Sequence, residues 1–232
     1  MNAMNIPDHL LQTGIDQLPL DYKWDVSIGN KFQGARSESK PKLAEAIRAI
    51  STRASYGLVI AATEWVVARL SRHIDVSDSL QRIEASWAAM IDARYANLPE
   101  PDEPDVDERF VLTGPLWTSA TMMGDCFEYG IVPDDNTIFF DTSIGVCMLA
   151  EHVCGRSPAF KAWLPDTLRR LQQQHPDVAL PVSAQQPAGV DFFRPAGPGS
   201  FIATLSPQRN PYLRSAAELQ ADGMANPYPG GS

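Results

Sequence analysis

The sequence predicts a mainly α-helical protein, with a helical bundle-like body and an extended, Pro/Gly-rich C-terminal arm that has room for a short β-hairpin. Three observations predict it. Apolar residues recur at spacings of three and four over 43–70 and again over 80–98, the period of an amphipathic helix. A third stretch, 142–154, is apolar on nearly every face and ends at Gly155, the pattern of a buried helix with a glycine stop. The composition then changes after His175: nine Pro, six Gly and only seven charged residues fall between Pro176 and Ser232, too many breakers for another helical layer.

Residues 1–38 read as an irregular N-terminal arm. A short amphipathic piece (Leu10, Leu11, Ile15, Leu18) is interrupted by Gly14, Pro19, Gly29 and Gly34, and Tyr22, Trp24 and Phe32 are its anchors. A helical domain occupies 39–175. Ser39 before Pro41 marks a helix start, followed by Leu43, Ile47, Ile50, Ala54, Leu58, Ala61, Trp65 and Ala68 on one face of a single helix reaching Leu70. A second apolar set, Val59, Ala62, Val66 and Leu70, makes its C-terminal half a central element. Gly57 marks either a bend or a close helix crossing. Glu64 needs a partner, for which Arg53, Arg69 and His73 are the candidates, and Arg69 and Arg72 suit the carboxyl end of the macrodipole.

Asp78 with Gln81 resembles a capping box that opens a second helix, through Ile83, Trp87 and Ile91 to Leu98, where Pro99 stops it. The segment 99–109 holds six acids against one Arg and reads as a solvated acidic linker. Gly114-Pro115 opens a third helix that carries Leu116, Ala120, Met123 and Phe127 and stops at Gly130. A turn follows at 132–136, then a short strand or buried extended run at 137–140, with Asp141 as cap of the helix 142–154. Ser157-Pro158 begins another helix, kinked or divided at Pro165. The arm 176–232 packs on the body: Val190–Phe193 and the run 201–205 are its candidate strands, and a short helix lies around 215–221.

A chain of 232 residues with 44% hydrophobic content buries a full core without disulfides. Three cysteines are an odd number, which argues for a reducing compartment; with no signal peptide legible in residues 1–20, the expected location is cytoplasmic. No apolar run approaches the roughly 20 residues of a membrane span, so no membrane association is expected. A net charge of −9 disfavours nucleic acid, because phosphate contacts need clustered Lys and Arg.

The sequence contains no phosphate-binding glycine loop, no Gly-x-Ser-x-Gly elbow, no His-Glu-x-x-His helix and no Glu-x-x-His pair. Cys147, Glu151 and Cys154 share a helix face at i, i+4 and i+7 and are the candidate metal or thiol set. Two thiolates two turns apart are about 10 Å along the axis, however, too far for one ion, so buried structural cysteines are the competing reading. Asp125, Glu128 and Asp141, with aromatic neighbours Phe127, Tyr129, Phe139 and Phe140, are candidates for acid–base work, against turn-forming and capping roles. The five tryptophans read as core or rim anchors. The tripeptide Asn210-Pro211-Tyr212 recurs as Asn226-Pro227-Tyr228; Asn210, Tyr212, Asn226 and Tyr228 are therefore the candidate partner-binding residues. The expected function is binding of another protein, as an adaptor, a regulator or an immunity-type inhibitor, with no cofactor implied. The alternative is a small hydrolase or metal-assisted enzyme using the carboxylates near Glu128 and Asp141.

Overall fold

The structure, a computed structural model, describes residues 6–131, 136–177 and 202–228. Among them the regular elements are all helical: α1 (Asp8–Leu11), α2 (Val26–Gln33), α3 (Pro41–Arg48), α4 (Thr52–Leu70), α5 (Ser77–Ala89), α6 (Phe110–Ile131), α7 (Asn136–Cys154), α8 (Pro158–Gln174) and α9 (Ala216–Ala221), joined by short 3-10 turns. The mainly helical, bundle-like body is the architecture the apolar periodicities predict. No described helix is long and apolar enough to cross a membrane.

Helix α4 is central. Its residues Val59, Ile60, Ala62, Val66, Ala68 and Leu70 are fully buried because α6 and α7 cover one side while α5 and α8 flank the other. The predicted buried helix is α7, where Ile144, Val146, Cys147, Leu149 and Ala150 have no exposure. Each large apolar side chain buried there contributes about 1.5–3 kcal/mol. Gly145 permits a close approach in this layer: a Cβ at that position would collide with the Phe32 carbonyl and the Met122 side chain.

Several predicted boundaries move, each for a local reason. The helix expected over 43–70 is two helices broken at Ala49–Ser51. Ser51 Oγ accepts from the Ala54 amide (3.3 Å) to cap α4, and neighbouring backbone groups bond the chain leaving α8: the Ser51 amide donates to the His175 carbonyl (2.9 Å) and the Asp177 amide to the Ala49 carbonyl (3.1 Å). The apolar period runs across the break, so it hides it. Gly57 lies inside an unbroken α4. The second helix stops at Ala89 instead of Leu98, because Asp92 Oδ1 captures the Arg94 amide (3.0 Å) and starts a 3-10 turn. Asp78 does not cap it; it pairs with Arg82 (2.9 Å), while Asp75 Oδ1 accepts from the Ser77 amide (2.9 Å).

Helix α6 begins at Phe110, before Gly114, and takes Pro115 into its interior. Proline there leaves the Val111 carbonyl without its helical donor. The Tyr22 hydroxyl donates to that carbonyl instead (2.6 Å), so an anchor of the N-terminal segment repairs the helix. The run 137–140 is helical, the first turns of α7, and not extended. Asp141 consequently lies inside α7 and pairs with Arg36 (3.3 Å) rather than capping. Pro165 does not divide α8.

The N-terminal segment is more helical than predicted, and α2 packs on α6 and α7. Arg69, in the last turn of α4, is buried beneath it and donates to the carbonyls of Leu18 (2.6 Å) and Pro19 (2.5 Å). In the C-terminal arm the predicted helix is α9, capped by Ser215 and Glu218. Ile202–Thr204 forms a 3-10 turn, so the strand expected at 201–205 is not formed there; its partner Val190–Phe193 lies outside the described residues.

Candidate functional site

Small residues on one face of α4 create a groove. Ala54, Gly57 and Ala61 stand at i, i+3 and i+7 and, with the buried Leu58 at i+4, form a floor along one stripe. Trp87 of α5 and Met90 just past its end make one wall; Trp163, Thr167 and Leu171 of α8 make the other. These wall residues are half-buried, and the cavity they enclose is about 390 Å³. Ser51, Arg53, Arg170 and His175 surround the end nearest the start of α4.

The walls are held apart by fixed contacts at their ends. Trp65 meets Phe160 edge-on (centroids 5.4 Å apart) and Trp163 at a tilt (5.6 Å), which anchors the first turns of α8. Its far end is tied by the bonds of Ser51 and Asp177 and by a backbone bridge between Ile50 and Pro176. On the α5 side, Trp87 Nε1 donates to Glu64 Oε1 (2.8 Å), and Arg53 donates to the Met90 carbonyl. Glu64 therefore finds an indole N–H where a cation was expected. Burial raises its pKa above the usual carboxylate range, and the bond from Trp87 offsets part of that rise. Burial likewise lowers the pKa of Arg53.

The predicted acids do not share one site. Burial raises Asp125 to about 6, with Glu128 and Glu100 adding repulsion. Asp141 instead faces Arg36 in a separate, polar cavity of about 600 Å³, where Arg48 lies over the Phe140 ring (4.5 Å) and Glu38 and Asp177 add further acids. The cysteine helix is equally divided. Cys147 and Cys154 are buried, whereas Glu151 turns out to pair with Lys40. Burial pushes Cys147 up to about 12 and raises Cys154 further above its ordinary value, so neither is a thiolate at neutral pH. His152 points elsewhere, donating from Nε2 to the Lys23 carbonyl (2.6 Å). Among the described residues no three His, Cys, Asp or Glu side chains are placed to hold a metal ion.

The two Asn-Pro-Tyr motifs fold alike: each Asn Oδ1 accepts from the amide of its own Tyr, at 2.9 Å for Tyr212 and 3.0 Å for Tyr228. Both are seated on the chain itself. Asn210 is fully buried and donates to the Gln81 carbonyl (2.8 Å) and Glu84 Oε2 (2.9 Å). The Tyr212 ring lies under the Arg82 guanidinium (4.2 Å) with its hydroxyl on Asp78. Tyr228 is 7% exposed and donates to the Arg214 carbonyl (2.9 Å), in a second core cluster with Tyr95, Leu213 and Leu219.

Sequence reasoning took Trp87 and Trp163 as anchors and passed over Thr167, Arg170 and His175. The available signal was the small-residue spacing through Gly57, which pointed to a close crossing; there the Met90 and Trp87 side chains come up against the α4 backbone. No family model matches the chain, and no curated protein or solved structure matches it.

Proposed function

We propose that the protein acts by recognition, binding a partner protein as an adaptor, a regulator or an immunity-type inhibitor, and that the partner is seated in the groove between α4, α5 and α8. The supporting observation is the makeup of that groove: Trp87, Trp163, Met90, Arg53 and Arg170 around an apolar floor of Ala54, Gly57, Leu58 and Ala61. Tryptophan, methionine and arginine are the residues that protein interfaces concentrate, and tryptophan and arginine dominate their binding energy. A contiguous apolar groove left half-open to water gains free energy when a partner covers it.

Among the described residues the groove lining holds no carboxylate. Ser51 Oγ is engaged at the α4 cap, and no hydrogen bond joins it to the His175 ring among the described residues. The described carboxylates invoked for a hydrolase are divided between two places, Asp125 beside Glu128 and Asp141 beside Arg36, which gives that alternative less support.

A photo-crosslinking amino acid placed at Thr167, on the groove wall, tests the proposal in the native host, with Lys161 on the exposed side of α8 as control. The expected result is one discrete protein adduct from position 167, abolished by Ala61→Trp, and none from position 161. Adducts that are equal at both positions, or that survive Ala61→Trp, contradict it.

A further inference from the structure

The shape, backbone chemistry and charge of the groove narrow what can occupy it, and the narrowing rests on the reading of the groove as a recognition site. Its floor runs from Ser51 to Ala61, about three helical turns or roughly 15 Å of α4. Ala54, Gly57 and Ala61 keep the floor low around the buried Leu58, so an incoming element can lie along α4 while its own side chains fill the space between Trp87 and Trp163. The volume, about 390 Å³, suits anchor side chains projected from successive turns and not a second backbone buried outright.

The backbone decides the conformation of the occupant. An extended peptide gains its affinity by pairing with a free strand edge, and the walls and floor here are helical and offer no strand edge among the described residues. An extended chain laid in the groove would lose backbone hydration without a ladder to replace it. A helix satisfies its own backbone and presents apolar residues at i, i+3 or i+4, and i+7 along the floor.

Charge sets the direction. Among the described residues no Asp or Glu lines the groove, while Arg53, Arg170 and His175 gather at one end, in a chain whose net charge is −9. The amino pole of α4 and the carboxyl pole of α8 lie side by side there and offset each other, so the sign of that end is set by side chains. Arg53 is tethered to the Met90 carbonyl. Arg170 is exposed, holds only Thr167 Oγ1 (3.2 Å) and forms no ion pair among the described residues, so its guanidinium is placed to take a carboxylate. We infer that the groove receives an amphipathic α-helix of about three turns from the partner protein, apolar on one face, with an Asp or Glu at one end paired with Arg170.

The test uses the full chain and a displayed library of rigid single helices randomised on one face, selected for binding with excess Ala61→Trp protein as competitor. Enriched faces are expected to carry apolar anchors at helical spacing with an acidic residue at one end. Individual clones should bind the native chain at least tenfold tighter than Ala61→Trp, or Thr167→Trp where the first variant melts early. Arg170→Glu should weaken those clones at least tenfold and, used as bait itself, should enrich Lys or Arg at the acidic position. Clones that depend on the groove but show no acidic preference, or that keep their affinity for Arg170→Glu, overturn this inference and leave the groove standing. An empty selection, or clones that bind Ala61→Trp equally well, overturns the groove as a recognition site.

Discussion

Asp125 shows how a single residue reports its surroundings. Partial burial in α6, reinforced by Glu128 and Glu100, raises its pKa from 3.8 to about 6. Because the folded value lies above the unfolded one, the contribution of Asp125 to stability is fully present below pH 4 and is lost as pH rises through 6. At pH 7 the ionised group is a cost. Asp125→Asn should therefore raise the melting temperature at pH 7 by about 2–4 °C, the equivalent of about 1 kcal/mol once solvent screening is allowed for, and leave it nearly unchanged at pH 4. Calorimetry at both pH values checks this, and an equal shift at both contradicts it. Two glycines make a second contrast. Gly145→Ala meets the Phe32 backbone and should destabilise by about 3 kcal/mol, whereas Gly124→Ala, with open space around the new methyl, should stabilise by about 0.5–1 kcal/mol through helix propensity. Chemical denaturation of the two variants decides it. The buried thiols Cys126, Cys147 and Cys154 should resist a disulfide reagent until the fold opens; fast labelling of native protein contradicts their burial.

At the scale of elements, the docking of the C-terminal arm on α5 turns on Asn210, whose amide satisfies two acceptors and whose carbonyl caps Tyr212. Asn210→Ala removes the donor to the half-buried Gln81 carbonyl and Glu84 carboxylate and should cost about 1–3 kcal/mol, with residues 202–228 becoming the first site of limited proteolysis; unchanged proteolysis contradicts it. The repeated tripeptide was legible in the sequence, and so was the turn it makes. Which surface each ring meets was not, because contacts such as Tyr212 to Asp78 and Arg82 join residues more than a hundred positions apart. The same limit explains the helix boundaries. The starts of α8 and α9 were readable, since Ser157 and Ser215 cap locally. The break at Ala49–Ser51 and the entry of Pro115 into α6 were not, because His175, Asp177 and Tyr22 supply the deciding bonds from afar. Thr137–Phe140 misled for another reason: a short apolar run carries too few residues for its period to separate strand from helix.

Across the whole molecule, α4 serves two purposes. Its buried faces hold the core with α6 and α7, and its remaining face, kept small, is left open between walls fixed by Trp65, Glu64 and Ile50. The groove could not be read from the chain because its floor, two walls and cationic end come from three helices and are assembled only by folding. The apolar arguments from the sequence found the same residues and assigned them to the core, which is where their neighbours on α4 reside. The central claim, that recognition occurs in this groove and not on the Asn-Pro-Tyr arm, is tested most directly by amide hydrogen exchange of the full chain with and without its crosslinked partner. Protection is predicted at 51–61, 87–90 and 163–175, with 202–228 unchanged. Protection confined to 202–228, with exchange along the groove unaltered, would contradict it.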